Sequence, residues 1–177
     1  MKKTAMVIGV VAVAGAALAR AELVVNGGFE TGTLAGWGVA NSSVVITSDS
    51  HTGQFGAIFS GSAPGAELLQ ALSLSDGVQY RLELWAKNYG LGDDGMVITI
   101  QDQVVFSDSP LGLPLEDWTQ LQFDFVAANG AEWDIEFRGW DGVLGIVVDD
   151  ISVTIVPAPA GAALLGLAGL TAVRRRR

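Results

Sequence analysis

Cysteine is absent from the 177 residues, which excludes a disulfide framework, a cysteine nucleophile and thiolate metal sites together. Histidine occurs once, as His51, in a Ser-Asp-Ser-His-Thr-Gly stretch. Serine and aspartate beside it in sequence do not make a triad, whose members must converge in space, so His51 reads as a loop residue next to a turn. Basic residues are few, ten against nineteen acidic. Seven of those ten sit at the ends of the chain, as Lys2, Lys3, Arg20 and the run from Arg174 to Arg177, whereas every acidic residue lies between them. The stretch 22–156 thus keeps nineteen acidic and three basic side chains, a formal charge of −16. Such a surface repels nucleic-acid phosphate and anionic lipid, and nucleic-acid binding is set aside. Long apolar runs are also lacking. The two that stand out, Ala5–Leu18 and Gly161–Val173, fall short of the roughly 20 residues of a membrane-spanning helix.

Those two runs have the flanks of targeting segments. At the start, Lys2 and Lys3 precede the apolar run, and small residues at Ala17, Ala19 and Ala21 follow it. This is the three-part layout of a secretory signal peptide, cleaved after Ala19 or Ala21 by a signal peptidase. At the other end, Val156-Pro157-Ala158-Pro159-Ala160 leads into the second apolar run and then four arginines. The prolines mark a boundary, and the arginines would hold the end on the cytoplasmic side of an inner membrane. The triple pattern resembles the PEP-CTERM sorting signal, whose tail is removed by a membrane protease called exosortase. The resemblance implies transient inner-membrane contact, then release to the cell surface or extracellular matrix. Ala158 stands where the usual motif has glutamate, so the protease that accepts the variant stays open; a plain membrane anchor is the alternative.

Between the ends, polarity alternates with a period of two. Tyr80, Leu82 and Leu84 share one face of the stretch 78–85; Leu121, Phe123 and Phe125 share one face of 119–125; Trp133, Ile135 and Phe137 share one face of 132–138. Period two is the signature of half-buried strands. Residues 96–100 and 147–155 add β-branched runs, and 66–74 is taken as a strand. Asp76-Gly77, Asp93-Asp94-Gly95, Asn129-Gly130 and Asp141-Gly142 supply turns at intervals near ten residues, as a sandwich or barrel requires. No mature helix is expected. The reading is a signal helix over 1–21, one antiparallel two-sheet sandwich over 22–155, and a hydrophobic sorting helix within 156–177.

The opening Leu23-Val24-Val25-Asn26-Gly27-Gly28-Phe29-Glu30-Thr31-Gly32, with Gly36-Trp37, resembles the start of the xylanase-associated carbohydrate-binding modules. Later blocks agree in order: 51–57, 80–87 and 148–153. The resemblance implies a galactose-binding-like β-jelly roll. It also implies a structural calcium where the first and last strands meet, with Glu30 and Asp149 as carboxylate ligands and carbonyls of Gly28 and of the 51–54 turn, Gln54 included, completing the shell. Calcium suits an acidic exported domain that has no cysteine to staple it. Asp149 shares the phase of Ile151 and Val153, so its side chain is expected to point inward and to need a partner.

A sugar site needs an aromatic plate with hydrogen-bonding side chains around it. The outward phase of 79–87 offers Arg81, Glu83 and Trp85, with Gln122 on the matching phase of another strand. Trp85 is either that plate or a satellite core residue under a loop. Trp140, in a Gly-Trp-Asp-Gly turn, is the alternative plate; Trp37, Trp118 and Trp133 are expected in the core. Glu132, Asp134 and Glu136 lie along one strand, whereas glycosidase carboxylates flank a sugar from separate walls, so they read as a solvated face. The functional expectation is a non-catalytic surface or matrix protein that binds an extracellular polysaccharide. Its rivals are a structural or adhesive matrix component without sugar affinity and, further off, a glycan hydrolase.

Overall fold

The computed structural model describes residues 23–40, 44–59, 66–89, 95–108, 117–128, 134–140 and 145–157. Ala19, Ala21 and Pro159, both terminal apolar runs and Trp133 lie outside them, while Pro157 is exposed at the end of the last described segment. Ten strands follow in chain order: β1 Gly38–Ala40, β2 Val44–Thr47, β3 Gly56–Phe59, β4 Ala66–Gln70, β5 Gln79–Asn88, β6 Gly95–Ile100, β7 Gln103–Asp108, β8 Thr119–Val126, β9 Ile135–Trp140 and β10 Ile146–Ile155. They form two five-stranded sheets, ordered β1-β4-β9-β6-β7 and β2-β3-β10-β5-β8, with every pairing antiparallel. The expected all-β, two-sheet sandwich is what the chain forms.

Alternation sets the layers. On β5, Tyr80, Leu82, Leu84 and Ala86 are buried while Arg81, Glu83 and Trp85 are partly exposed. Across the sandwich, Leu68, Ile98, Ile135 and Phe137 close the core from the first sheet. Each such side chain contributes about 1.5–3 kcal/mol by leaving water. The segment before β1 plugs one side of this core. Phe29 is fully buried and stacks on Trp37 at 5.9 Å, and Trp37 in turn meets Phe137 at 6.1 Å. Gln70, 4% exposed, fastens that segment: its Oε1 accepts from the Val25 amide at 2.8 Å, and its Nε2 donates to Val25 O and Gly36 O, both at 3.0 Å.

One irregularity shapes the functional region. The β10–β5 register shifts between Asp149 and Ser152, and Asp150 within that bulge has φ +49°. A bulge inserts one residue and flips the phase beyond it. Here the freed amide of Ile151 donates to Gly27 O at 3.0 Å. Gly27 has to be glycine, because a Cβ there would stand 1.9 Å from Ile151 O. The bulge therefore docks the N-terminal segment against the last strand.

Candidate functional site

Asp149 is where the sequence reading needs its first correction. Val148 pairs with Ala86 and Asp149 with Trp85, so Asp149 shares the outer face of the second sheet with Trp85; the bulge then returns Ile151 and Val153 to the core face. Asp149 is nevertheless fully buried, because residues 49–53 fold over it. Its Oδ2 accepts from the amides of His51 at 2.8 Å and Thr52 at 3.1 Å, and its Oδ1 accepts from the amide of Asp150 at 2.7 Å. Burial pushes the Asp149 carboxyl above the ordinary carboxylate range, with those amides pulling the other way.

Asp150 and Glu30 hold the same loop from its flanks. His51 Nδ1 lies 2.7 Å from Asp150 Oδ2, and the Thr52 hydroxyl donates to Asp150 Oδ1 at 2.7 Å. Glu30 Oε1 accepts from the amides of Gln54 at 2.9 Å and Phe55 at 3.0 Å, so Gln54 meets Glu30 through its backbone N–H. Two carboxylate oxygens come near Gly28, where a Cβ would stand 3.6 Å from Asp150 Oδ1 and 4.0 Å from Asp149 Oδ1, with the Glu30 methylene Cγ at 3.9 Å; the Glu30 carboxylate itself lies against Gly53. Carboxylate oxygens are the donors a hard cation takes, and here those of Asp149 and Glu30 already accept backbone amides. Among the described residues, no three His, Asp or Glu side chains are disposed to hold a metal ion. A cation at Gly28 would therefore draw on Glu30, Asp149 and backbone carbonyls.

The outer face of the second sheet carries the aromatic candidate. Trp85 is half-buried, and the His51 ring lies on it at 3.8 Å with an interplanar angle of 11°. Trp118 closes on the edge of His51 at 5.6 Å; it was expected in the core but packs outside it, half-buried, just ahead of β8. The Lys87 ammonium lies 4.8 Å from the Trp118 ring centre and 2.5 Å from Asp49 Oδ1, and the Tyr89 hydroxyl also donates to Asp49. Burial opposes the charge on Lys87, yet its hydrogen bonds to Asp49 and Tyr89 prevail and hold its pKa above the usual lysine range. Further along, Arg81 grips Asp124 with Nε at 2.6 Å and Nη2 at 2.9 Å, and Glu83 faces Gln122 across the β5–β8 pairing. Arg81, Glu83, Trp85 and Gln122 thus share one face, but Trp85 has one ring face roofed and Arg81 is committed to Asp124.

The outer face of the first sheet is differently furnished. Glu67, Arg138 and Val97 are aligned across β4, β9 and β6, with Glu136 and Thr99 in the next row. Arg138 is 52% exposed, and its Nε lies 2.7 Å from Glu136 Oε1 and 3.1 Å from Glu67 Oε1. Trp140 is the last residue of the same strand, paired with Gly95. The sequence reading passed over Glu67 and Arg138; the signal available was that Arg138 is one of only three basic residues between 22 and 156. Asp134 does not join this row. Its Oδ2 accepts from the Leu72 amide at 2.6 Å and its Oδ1 from Gln101 at 3.0 Å, so it caps loops, and Glu132 lies outside the described residues.

A family model described as a carbohydrate binding domain matches residues 21–141. A solved family 16 carbohydrate-binding module superimposes with TM-score 0.54 at 22% identity, over 75% of this chain and 99% of its own. The CBM22-1 xylan-binding domain of Paenibacillus barcinonensis Xyn10C gives TM-score 0.54 at 15% identity, over 75% of this chain and 93% of its own. The enzymatically active domain of bacteriophage CBA120 tailspike protein 4 gives 0.58 at 18% identity and 76% coverage, this chain spanning only 21% of that one. At these identities the likeness is one of fold. No curated protein matches the chain.

Proposed function

We propose that this chain, which belongs to the carbohydrate-binding domain family, is a non-catalytic module that binds a polysaccharide on the outer face of its first sheet. The observation that carries this is the Glu67–Arg138–Glu136 row: an exposed guanidinium steadied by two partly covered carboxylates on the outer face of the sheet. Sugar hydroxyls are both donors and acceptors, and charged partners make the stronger hydrogen bonds with them. Trp140, two residues past Arg138 on the strand, is proposed as the aromatic plate. Trp85 is the weaker candidate because His51 lies on one of its ring faces. A glycan screen of the wild type and an Arg138→Ala variant tests the reading. Binding should weaken about tenfold or more on losing a central arginine, with the melting temperature little changed. An unchanged affinity would move the site off this face.

Calcium beside Gly28, with Glu30 and Asp149 as ligands, is proposed as a stabiliser that ties the N-terminal segment to β10. Export and double processing are proposed from the sequence of the two ends, with exosortase-like removal of the tail. Intact mass of material recovered from the cell surface should lack both ends; recovery of peptides that end in the arginine cluster argues for a plain anchor instead. The rival role, a matrix spacer without sugar affinity, draws its support from the roofing of Trp85.

A further inference from the structure

We infer that the polysaccharide taken at the Glu67–Arg138–Glu136 face carries no acidic groups: it is a neutral or amine-bearing glycan, and uronate- or sulfate-bearing polymers are rejected. The inference rests on reading that face as the sugar site and adds the charge class of the ligand. Arg138 is the only one of the three basic residues between 22 and 156 on this face, since Arg81 and Lys87 stand on the other sheet, bound to Asp124 and Asp49. Arg138 is in turn already compensated. Two carboxylates meet one guanidinium, so the row is net negative where a ligand would land. A sugar carboxylate must displace Glu67 or Glu136 from Arg138, or settle beside them as a like charge, and juxtaposed like charges suppress a partner. A hydroxyl meets no such opposition, and an ammonium is attracted by both carboxylates.

The far field points the same way. Nineteen acidic against three basic side chains give residues 22–156 a charge of −16. At about 0.1 M salt that field reaches roughly 10 Å, enough to act on several sugar units of a bound polymer. A polyanion is therefore opposed along its length as well as at the contact. Neutral chains are indifferent to the field, and amine-bearing chains gain from it.

The test uses the full chain in mild detergent and oligosaccharides that differ only in charge. One pair is N-acetylglucosamine oligomers and their deacetylated forms; another is methyl-esterified and free galacturonate oligomers. Neutral gluco-, xylo- and galacto-oligosaccharides complete the panel. Calorimetric titration at about 20 mM and about 300 mM salt separates charge from contact, because screening grows between them. The expected result is binding by neutral or amine-bearing members. Every acidic counterpart should be weaker by about tenfold or more at low salt, with a gap that narrows at high salt. Glu67→Gln with Glu136→Gln leaves Arg138 uncompensated and should shrink that gap; if the pair fails to fold, Glu67→Gln alone carries this arm. An acidic oligomer that binds as tightly as its neutral counterpart overturns the inference and leaves the sugar site standing. No binding by any member in folded protein overturns both.

Discussion

Replacing Asp149 with alanine tests whether its buried carboxylate is the anchor of the 49–53 loop. The side chain is fully buried and accepts three backbone amides, those of His51, Thr52 and Asp150. A buried donor left without a partner costs about 1–3 kcal/mol. Two terms reduce the sum over three donors. Water can reach the half-buried loop once the carboxylate is gone, and removing Asp149 also removes a charge that burial disfavours, as its raised pKa shows. The net expectation is a loss of about 3 kcal/mol, or roughly 10 °C in melting temperature for a domain of this size. Thermal and urea unfolding of residues 22–157 and of the variant provide the measurement. Running both in EDTA and in millimolar calcium adds the cation test. Occupied calcium should raise the wild-type unfolding free energy by about 2.7 kcal/mol at a hundredfold excess over Kd, moving the midpoint up with it, and should raise the variant much less. A loss below about 1 kcal/mol refutes the account of the loop, and a wild-type midpoint indifferent to calcium refutes the cation.

Trp85→Ala should destabilise the domain by about 3 kcal/mol, as for a packed aromatic, and free the 49–53 loop to proteolysis; a full loss of glycan binding with unchanged stability would restore Trp85 as the plate. The Arg81–Asp124 pair, exposed to solvent, contributes a small acid-sensitive part of the stability. Its hydrogen bond to Arg81 holds the Asp124 carboxyl below the usual range, so the stability it adds is present at neutral pH and fades as pH falls through that lowered value. Asp124→Asn should flatten this part of the stability–pH curve, and an unaltered slope counts against the pair.

Most of the sandwich was legible because its longer strands bury one face and solvate the other. β8 alternates strictly and β5 does so as far as Ala86, and the cost of reading them from sequence was no more than three residues at an end. The elements that escaped are the short or edge strands. β1 has three residues and β2 four, too few for a period to declare itself. β7 is an edge strand, and Val104 on it is 63% exposed while Val105 and Phe106 are only half-buried. With burial so uneven on both faces, no alternation survives.

The site was less legible, and the reason lies in two long-range events. Period-two counting from Val153 back to Asp149 assumes an unbroken ladder, but the bulge at Asp150 adds one residue and reverses the phase. Asp149 was therefore assigned to the wrong side of the sheet, though its need for partners was right, since a buried carboxylate requires them wherever it points. The second event is the arrival of His51 on Trp85, 34 positions along the chain, and no local pattern encodes which loop will cover an outward tryptophan. The two events are physically linked. The bulge turns Asp149 outward, its carboxylate captures the amides of His51 and Thr52, and that capture lays the imidazole on the indole. One inserted residue in β10 thus decides that the indole of Trp85 is covered on one side by the 49–53 loop.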